Sequence, residues 1–519
     1  MGDITTDSRK ETLDKDLDKI GHVEEAATFV ARGLVAPGLA LLFMVLVAVL
    51  AAIYAFDQPR AVFIVAAAAI GAYMALNIGA NDVANNVGPA VGARALTMTG
   101  ALVIAAIFET AGALIAGGDV VETISKGIVD PTAVADSSAF MRMMLAALIS
   151  SALWIHLATW LGAPVSTTHA IVGGVVGAGI AAAGIASVNW PGMGAIAASW
   201  VISPVLGGLI AALFLAFVKT AIIYQDDKIA AARRWVPLLI GVMAGTFSAY
   251  LAIKGLGKIV DLSGFHLAAT GIAGFALFWG ASQIHVNRMS AGMENRNQSL
   301  RKLFRLPLIV SAALLSFAHG ANDVANAVGP LAAIVHTASF GVIAGSVSIP
   351  LWVMLIGAMG ISFGLVLFGP KLIRMVGEQI TKLNPMRAFC VALSAALTVI
   401  VASWFGLPVS STHIAVGAVF GVGFFREWYT SKSRRRRAYM ARKNERWMSQ
   451  RRSQNGDVAE SPAPKQSPSP ENGASREEIA RRRLVRRAHV ITIVAAWVTT
   501  VPAAAIMAAG IFFILDALA

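Results

Sequence analysis

The sequence contains little cysteine and little charge. One cysteine, Cys390, excludes an intrachain disulfide framework and a cysteine-rich metal site. Charged residues make up only 14% of the 519 residues, whereas 57% are hydrophobic, and the mean hydropathy of +0.69 is too high for an ordinary soluble protein. The alternating pattern of a transmembrane barrel is absent. The first thirty residues are polar, so we expect no cleaved signal peptide.

Apolar runs of about 20 residues, long enough to cross a bilayer as helices, recur along the chain. We therefore predict an all-α polytopic membrane protein with about 12–13 transmembrane or re-entrant helices. The predicted spans are 34–55, 61–80, 95–117, 143–162, 165–186, 196–222, 236–255, 267–286, 306–318, 340–368, 386–406, 408–425 and 488–516.

Positive charge is concentrated in one segment. Between Glu427 and Arg487, 17 Lys and Arg stand against 7 Asp and Glu, so this segment supplies +10 of the net charge of +13. Such a run can bind nucleic acid, but in a membrane-embedded chain it is typical of a cytoplasmic loop that contacts anionic lipid. We therefore expect no nucleic-acid partner. Counting spans from this loop places the N-terminus in the cytoplasm and the C-terminus outside.

Two polar blocks occur twice. Residues 79–88 (GANDVANNVG) recur as residues 320–329 with one change, and residues 162–173 (GAPVSTTHAIVG) match residues 406–417. The first block lies on the second and the ninth predicted spans, which are an odd number of spans apart. The two copies should therefore enter the membrane from opposite sides, which is typical of the inverted-topology repeats of secondary transporters.

The second block predicts an anion site. Gly-x-Pro interrupts a helix, and Pro164 and Pro408 would each open a new helix whose N-terminus carries unpaired N–H groups. Alternatively, the hydroxyls only satisfy backbone groups that the break leaves unpaired. The predicted ligands of a tetrahedral oxyanion are Ser166, Thr167, Thr168, Ser410, Ser411, Thr412, Asn81 and Asn322.

The first block predicts a cation site. Asp82 and Asp323 have no Lys or Arg within their blocks, and a carboxylate in hydrocarbon costs roughly 3 kcal/mol or more. Carboxylate and amide oxygens together suit a hard cation, so we predict that Asp82, Asn85, Asp323 and Asn326 hold a coupling sodium ion or proton. The alternative is a structural carboxylate that caps a broken helix. Because hydrogen phosphate has an O–H that a carboxylate can accept and sulfate has none, this site favours phosphate.

Three further titratable residues lie in apolar surroundings. Glu109 interrupts an apolar run, and the equivalent position in the second half is Pro350. His169 and His413 follow the hydroxyls directly. We assign all three to coupling or gating, with structural hydrogen bonding as the alternative.

At these residues the chain resembles the inorganic phosphate transporter family, whose Gly-Ala-Asn-Asp-Val-Ala-Asn signature both halves match. The likeness covers most of residues 60–430 and, more loosely, the last span. It implies an inverted-repeat phosphate symporter of a bacterial inner membrane that is driven by sodium or protons and needs no cofactor, with phosphate often carried as a metal complex. A homodimer is compatible with this arrangement.

The alternatives are a sulfate permease of the same family, a membrane-embedded aspartate enzyme and a passive anion channel. A nucleotide phosphate-binding loop is absent, so we expect a transporter rather than an enzyme. The predicted units are an N-terminal tail (1–33), an extra helix (34–55), a first repeat (61–222), connecting helices (236–286), a second repeat (306–426), the basic loop (427–487) and a final helix (488–519).

Overall fold

The computed structural model of the chain describes residues 11–58, 60–258, 260–343, 349–379, 383–432, 445 and 487–518. Most of the predicted basic loop, 427–487, therefore lies outside the described residues, as do the first ten residues of the N-terminal tail. The described residues form helices joined by short turns. We number the α-helices in chain order.

The helices are α1 (Glu11–Tyr54), α2 (Ala61–Asn81), α3 (Ala84–Gly92), α4 (Met98–Ala116), α5 (Gly118–Lys126), α6 (Ser137–Leu161), α7 (Thr167–Ala183), α8 (Trp190–Val218), α9 (Lys228–Lys254), α10 (Gly264–Ser290), α11 (Asn297–Leu303), α12 (Arg305–Asp323), α13 (Ala325–Phe340), α14 (Leu351–Gln379), α15 (Pro385–Trp404), α16 (Ser411–Lys432) and α17 (Arg487–Ala517). A π-helical turn, Lys219–Ile223, extends α8.

Eleven helices within the described residues are long and apolar enough to cross a membrane. Many large apolar side chains on them are exposed, as expected of surfaces that face lipid rather than water. The predicted all-helical, polytopic membrane fold is confirmed. Helix α7, predicted as a span, has 17 residues, which is the lower limit for a helix that spans the hydrocarbon core.

Both copies of the first block lie where a membrane helix is interrupted. The first interruption separates α2 from α3 at Asp82 and Val83, and the second separates α12 from α13 at Val324. The second motif span continues to Phe340, where Gly341 ends it in the left-handed conformation at φ 73°. The span predicted to begin at 340 therefore begins later, at Leu351.

Equivalent helices of the two halves make equivalent contacts. Helix α2 packs on α14, and α12 packs on α4. Likewise α6 packs on α7 and α15 on α16, while α17 covers α7 and α8 covers α16. Helices of each half thus pack against helices of the other half, and the two copies of each block meet in the interior.

Glycines of the first block lie where these helices cross. A Cβ added at Gly79 would collide with the backbone carbonyl of Ile361 on α14, and one at Gly320 with that of Glu109 on α4. Only a residue without a side chain allows backbones to approach this closely. Gly79 therefore fixes the distance between α2 and α14, and Gly320 the distance between α12 and α4. The polar residues that follow each glycine in its block are positioned by these contacts.

Candidate functional site

Both copies of the second block form new helices with hydroxyl caps. Gly162 and Gly406 turn the chain in the left-handed conformation, at φ 75° and 65°. The Ser166 Oγ then accepts the N–H of His169 at 3.1 Å, and the Ser410 Oγ accepts that of His413 at 3.2 Å. These bonds are N-caps. The helices begin at Thr167 and Ser411, three residues after Pro164 and Pro408, so the prolines precede the caps and do not open the helices as predicted. The first N–H groups of α7 and α16 have no partner within their helices and face the interior.

Asn81 and Asn322 connect the first block to the second within each half. The Asn81 amide donates to Thr159 Oγ1 at 2.9 Å and to the Ala163 carbonyl at 3.2 Å. The Asn322 amide makes the equivalent bonds, to Ser403 Oγ at 2.9 Å and to the Leu407 carbonyl at 3.2 Å. Their amide nitrogens are thus engaged with the protein, where they position the segments that lead into α7 and α16.

Asp82 is held by hydroxyls from both halves. Thr167 Oγ1 donates to its Oδ2 at 2.6 Å, and Thr412 Oγ1 donates to its Oδ1 at 2.8 Å. All three residues are buried. One carboxylate therefore joins the N-termini of α7 and α16, which are 245 residues apart in the chain (Thr167 to Thr412).

Asp323 has different neighbours. Ser411 Oγ donates to its Oδ2 at 3.2 Å, and His319 Nε2 lies 3.1 Å from the same oxygen. Its Oδ1 is buried and has no hydrogen-bond donor among the described residues. The two aspartates that the repeat makes equivalent are thus solvated differently.

Two asparagines link the halves. The Asn85 amide donates to Thr412 Oγ1 at 2.9 Å. The Asn326 amide donates to Thr167 Oγ1 at 3.1 Å and to Thr168 Oγ1 at 3.2 Å. Asn85 and Asn326 therefore each bond to the second block of the other half, so the structure brings the predicted cation and anion residues together.

Sequence reasoning did not identify His319, which lies between two carboxylates. Its Nδ1 is 2.7 Å from Glu109 Oε2, and its Nε2 faces Asp323. The Asn86 amide donates to the other Glu109 oxygen at 2.8 Å. His319 precedes Asp323 by four residues on one helix, a spacing that places both side chains on the same face and could have identified it.

These asymmetric residues have apolar equivalents in the other half. The single change between the two first blocks places Ala327 where the first copy has Asn86. Glu109 corresponds to Pro350 and His319 to Ile78 by the same offset. The residues that break the repeat are therefore in contact with one another, in one chain from Asn86 through Glu109 and His319 to Asp323.

The site has the chemistry of a cation ligand set. One oxygen or nitrogen each of Asp82, His319 and Asp323 lie within 4.8 Å of one another. The buried Oδ1 atoms of Asn85 and Asn326 accept no hydrogen bond within the described part of the chain. Buried acceptors without donors are costly unless a cation or proton satisfies them.

His169 and His413 lie at the meeting point of α7 and α16. Their ring centroids are 4.3 Å apart, edge to face. Trp200 packs against His169 at 3.9 Å and Trp497 stacks on His413 at 3.7 Å. The two rings thus form a buried aromatic contact beneath the hydroxyls, and a part in coupling or gating stays a prediction.

Known proteins share this sequence and this fold. The family model for the phosphate transporter family matches residues 78–508. A Helicobacter pylori protein described as a phosphate permease is 51% identical over 424 residues, 81% of this chain and 80% of its own length. A Pyrococcus furiosus protein with the same description is 40% identical over 357 residues, 69% of this chain and 86% of its own length.

A solved structure is also similar. The sodium-dependent phosphate transporter has 33% identity and a TM-score of 0.75, with 88% of this chain and 100% of that chain covered. The proteins that match are named as permeases and transporters, so the prediction of a transporter rather than an enzyme is confirmed. The match spans both repeated blocks and the helices between them, and the chain belongs to the phosphate transporter family.

Proposed function

We propose that the protein is a secondary active symporter that moves inorganic phosphate with a cation, by alternating access around the site between the two halves. The observation that carries this proposal is the crossed hydrogen bonding of Asp82, Asn85 and Asn326 to hydroxyls of the second blocks. It combines carboxylate and amide oxygens for a cation with hydroxyls and helix N-termini for an anion. A bound cation offsets the cost of moving a divalent anion into a low-dielectric interior.

Phosphate is the anion that this site suits. The O–H groups of Thr167, Thr168, Ser411 and Thr412 point to Asp82, Asp323 and the Val409 carbonyl in this structure, and on rotation they would donate to its oxygens. The first N–H groups of α7 and α16 can donate as well. Hydrogen phosphate also offers an O–H to Asp82 or Asp323, whereas fully ionised sulfate would be repelled. Ser166 and Ser410 hold helix ends through their oxygens but keep their O–H groups as donors. Asn81 and Asn322 would act mainly by holding the binding segments.

Sodium is the coupling ion that we favour. Amide oxygens do not take up protons near neutral pH, yet the buried side-chain oxygens of Asn85 and Asn326 have no hydrogen-bond donor among the described residues. Such oxygens suit a hard metal cation. The solved relative is named as sodium-dependent, which agrees with this assignment.

A proton is the second candidate. Glu109, His319 and Asp323 form a continuous buried series of groups that can each take up or release a proton. Proton coupling would run through this series, whereas sodium coupling would centre on Asp82. The two candidates therefore differ in which substitution removes the dependence on the ion.

We further propose that the two halves are inverted repeats and that the protein lies in a bacterial inner membrane with its N-terminus in the cytoplasm. Equivalent contacts between the halves agree with such a repeat. The distribution of basic loops supports the orientation. A divalent metal carried together with phosphate would be cargo, bound through phosphate oxygens.

Uptake of labelled phosphate into proteoliposomes tests these proposals. We expect accumulation against a phosphate gradient when a sodium gradient is imposed, and little with a proton gradient of the same energy. Asp82→Asn should abolish sodium-driven accumulation, whereas Asp57→Asn, in an exposed turn, should leave it unchanged. Unlabelled sulfate should compete poorly.

Three outcomes would change the assignment. Accumulation driven only by protons and lost in His319→Gln would favour the proton. Strong competition by sulfate would favour a sulfate permease. Accumulation that Asp82→Asn and Asp323→Asn leave unchanged would refute the proposed site.

A further inference from the structure

A basic pocket lies at the far end of α3 from the transport site. Its cavity of about 380 Å³ is bordered by the end of α3, by α11 and the start of α12, and by the start of α15. Four basic residues line it: Arg94, Arg301, Lys302 and Arg305. If a water molecule takes about 30 Å³, this cavity holds roughly a dozen waters, which is ample room for a small polyanion.

The positive charge of this pocket is not balanced within the described structure. All four basic side chains are exposed, and none forms an ion pair with another described residue. No carboxylate is among the described residues that line the cavity. Like charges held together without a counterion favour an anionic ligand.

The start of α15 adds to this field. Asn384 caps the helix by accepting the N–H of Arg387 at 3.1 Å, and Asn384 and Pro385 both border the cavity. Helix α15 has 20 residues, so its positive end faces the same space as the four basic side chains.

Arg94 occupies a position that favours glycine. The N–H of Ala95 bonds to the Ala90 carbonyl and that of Arg94 to the Val91 carbonyl, both at 2.9 Å, which is a Schellman end for α3. Arg94 is left-handed there, at φ 57°. Its carbonyl also accepts Arg305 Nη2 at 2.7 Å, so the end of α3 is tied to α12. We explain the arginine at this glycine-like position by a contribution of its charge to anion binding in the pocket.

Helix α3 connects the pocket to the transport site. It begins at Ala84, and its second residue, Asn85, donates to Thr412 in the other half. At its other end Gly92 packs directly against the backbone of Gly377 on α14. A helix of nine residues is about 14 Å long. A ligand that holds its end in place would thus restrict the movement of Asn85.

We propose that this pocket binds an anion with two or more phosphate groups, which holds α3 in place and slows transport. The ligand is either a soluble polyphosphate compound or the headgroup of a lipid with two phosphates. The pocket lies among loops predicted to be cytoplasmic, where both occur. Its binding is separate from the transported phosphate and does not depend on the coupling ion.

Calorimetric titration of the full chain with sodium tripolyphosphate tests the proposal. Saturating orthophosphate is kept present so that the transport site is occupied, and the ionic strength is fixed. We expect saturable binding that weakens at least about tenfold in the double variant Arg301→Gln, Lys302→Gln, because each lost charge-assisted hydrogen bond weakens binding by roughly that factor. Arg288→Gln with Arg374→Gln removes the same charge from exposed positions outside the pocket and should bind as the wild type does.

A second arm distinguishes the sources of the ligand. The chain is placed in nanodiscs of neutral lipid with or without diphosphatidylglycerol, and unfolding temperature and phosphate uptake after reconstitution are compared. A rise in unfolding temperature with the lipid that is absent in the pocket variant supports a headgroup, whereas tripolyphosphate binding alone supports a soluble ligand. Absence of both effects, or equal loss in the two double variants, overturns the proposal. Orthophosphate binding to the pocket as tightly as tripolyphosphate overturns the requirement for several phosphate groups.

Discussion

The Gly79→Ala substitution tests how strictly the helix crossing at the first block positions the site. The added Cβ would lie more than one ångström inside the 3.0 Å limit that Cβ contacts obey, and the atom it meets is the backbone carbonyl oxygen of Ile361. A backbone carbonyl cannot turn aside as a flexible side chain can, so α2 and α14 must separate. Overpacking of this kind costs typically about 1–3 kcal/mol.

The displacement would reach the site because Asn81 and Asp82 follow Gly79 by two and three residues. In enzymes, a displacement of about 1 Å can reduce the rate about 100-fold, and we expect a loss of that order in phosphate uptake. Uptake into proteoliposomes and the unfolding temperature in detergent measure the two effects separately.

Matched controls are available on the same chain. Gly280 and Gly510 lie within α10 and α17, where an added Cβ would meet nothing within 4 Å. Alanine at either position should leave uptake unchanged and raise stability by roughly 0.5–1 kcal/mol, the usual gain from replacing a helical glycine. If Gly79→Ala behaves like these controls, the crossing does not position the site and the reasoning is wrong.

Three further predictions follow from individual contacts. Thr412→Val removes a hydrogen bond to a carboxylate and Thr168→Val one to a backbone carbonyl, so uptake should fall about tenfold more in the first variant; equal losses would contradict this difference. The Ala139 N–H lowers the pKa of Asp136, so the charge of this cap stabilises the fold above the ordinary carboxyl pKa of about 4, and this contribution is lost as pH falls through the lowered value. Asp136→Ala should therefore cost about 1 kcal/mol or less at neutral pH and less than that in acid, where the neutral carboxyl still accepts the N–H groups, as measured by denaturation at both pH values. Arg94→Gly should relieve about 1 kcal/mol of backbone strain and raise the unfolding temperature while weakening tripolyphosphate binding.

Much of the site was predictable because duplication makes polar residues conspicuous in apolar surroundings. The two first blocks and the two proline-hydroxyl blocks were recognisable as sequence, and the helix starts capped by Ser166 and Ser410 follow from local rules. The membrane spans followed from hydropathy. These features depend on residues that are close together in the chain, so they can be predicted from the sequence alone.

The partners across the repeat could not be predicted in the same way. That Asp82 accepts from Thr412 depends on how the two halves pack, which no local pattern specifies. His319 was missed because one histidine in an apolar run is usually structural, and its meaning depends on Glu109, 210 residues away. The end of the second motif span was misplaced because α13 continues through Pro330, where a proline in the sequence indicates a break.

The polar network is asymmetric, so Asp82 and Asp323 have different hydrogen-bond partners and suit different ligands. Asp82 accepts hydrogen bonds from two neutral hydroxyls, whose oxygens can rotate to become cation ligands. Asp323 shares one oxygen with His319, which in turn contacts Glu109, so its charge is already tied to two other titratable groups. A metal cation would therefore meet less competition at Asp82, whereas a proton would be shared among Glu109, His319 and Asp323. The three residues that break the repeat thus make the two copies chemically different, so that one sequence block, used twice, provides two different sites for the proposed symport.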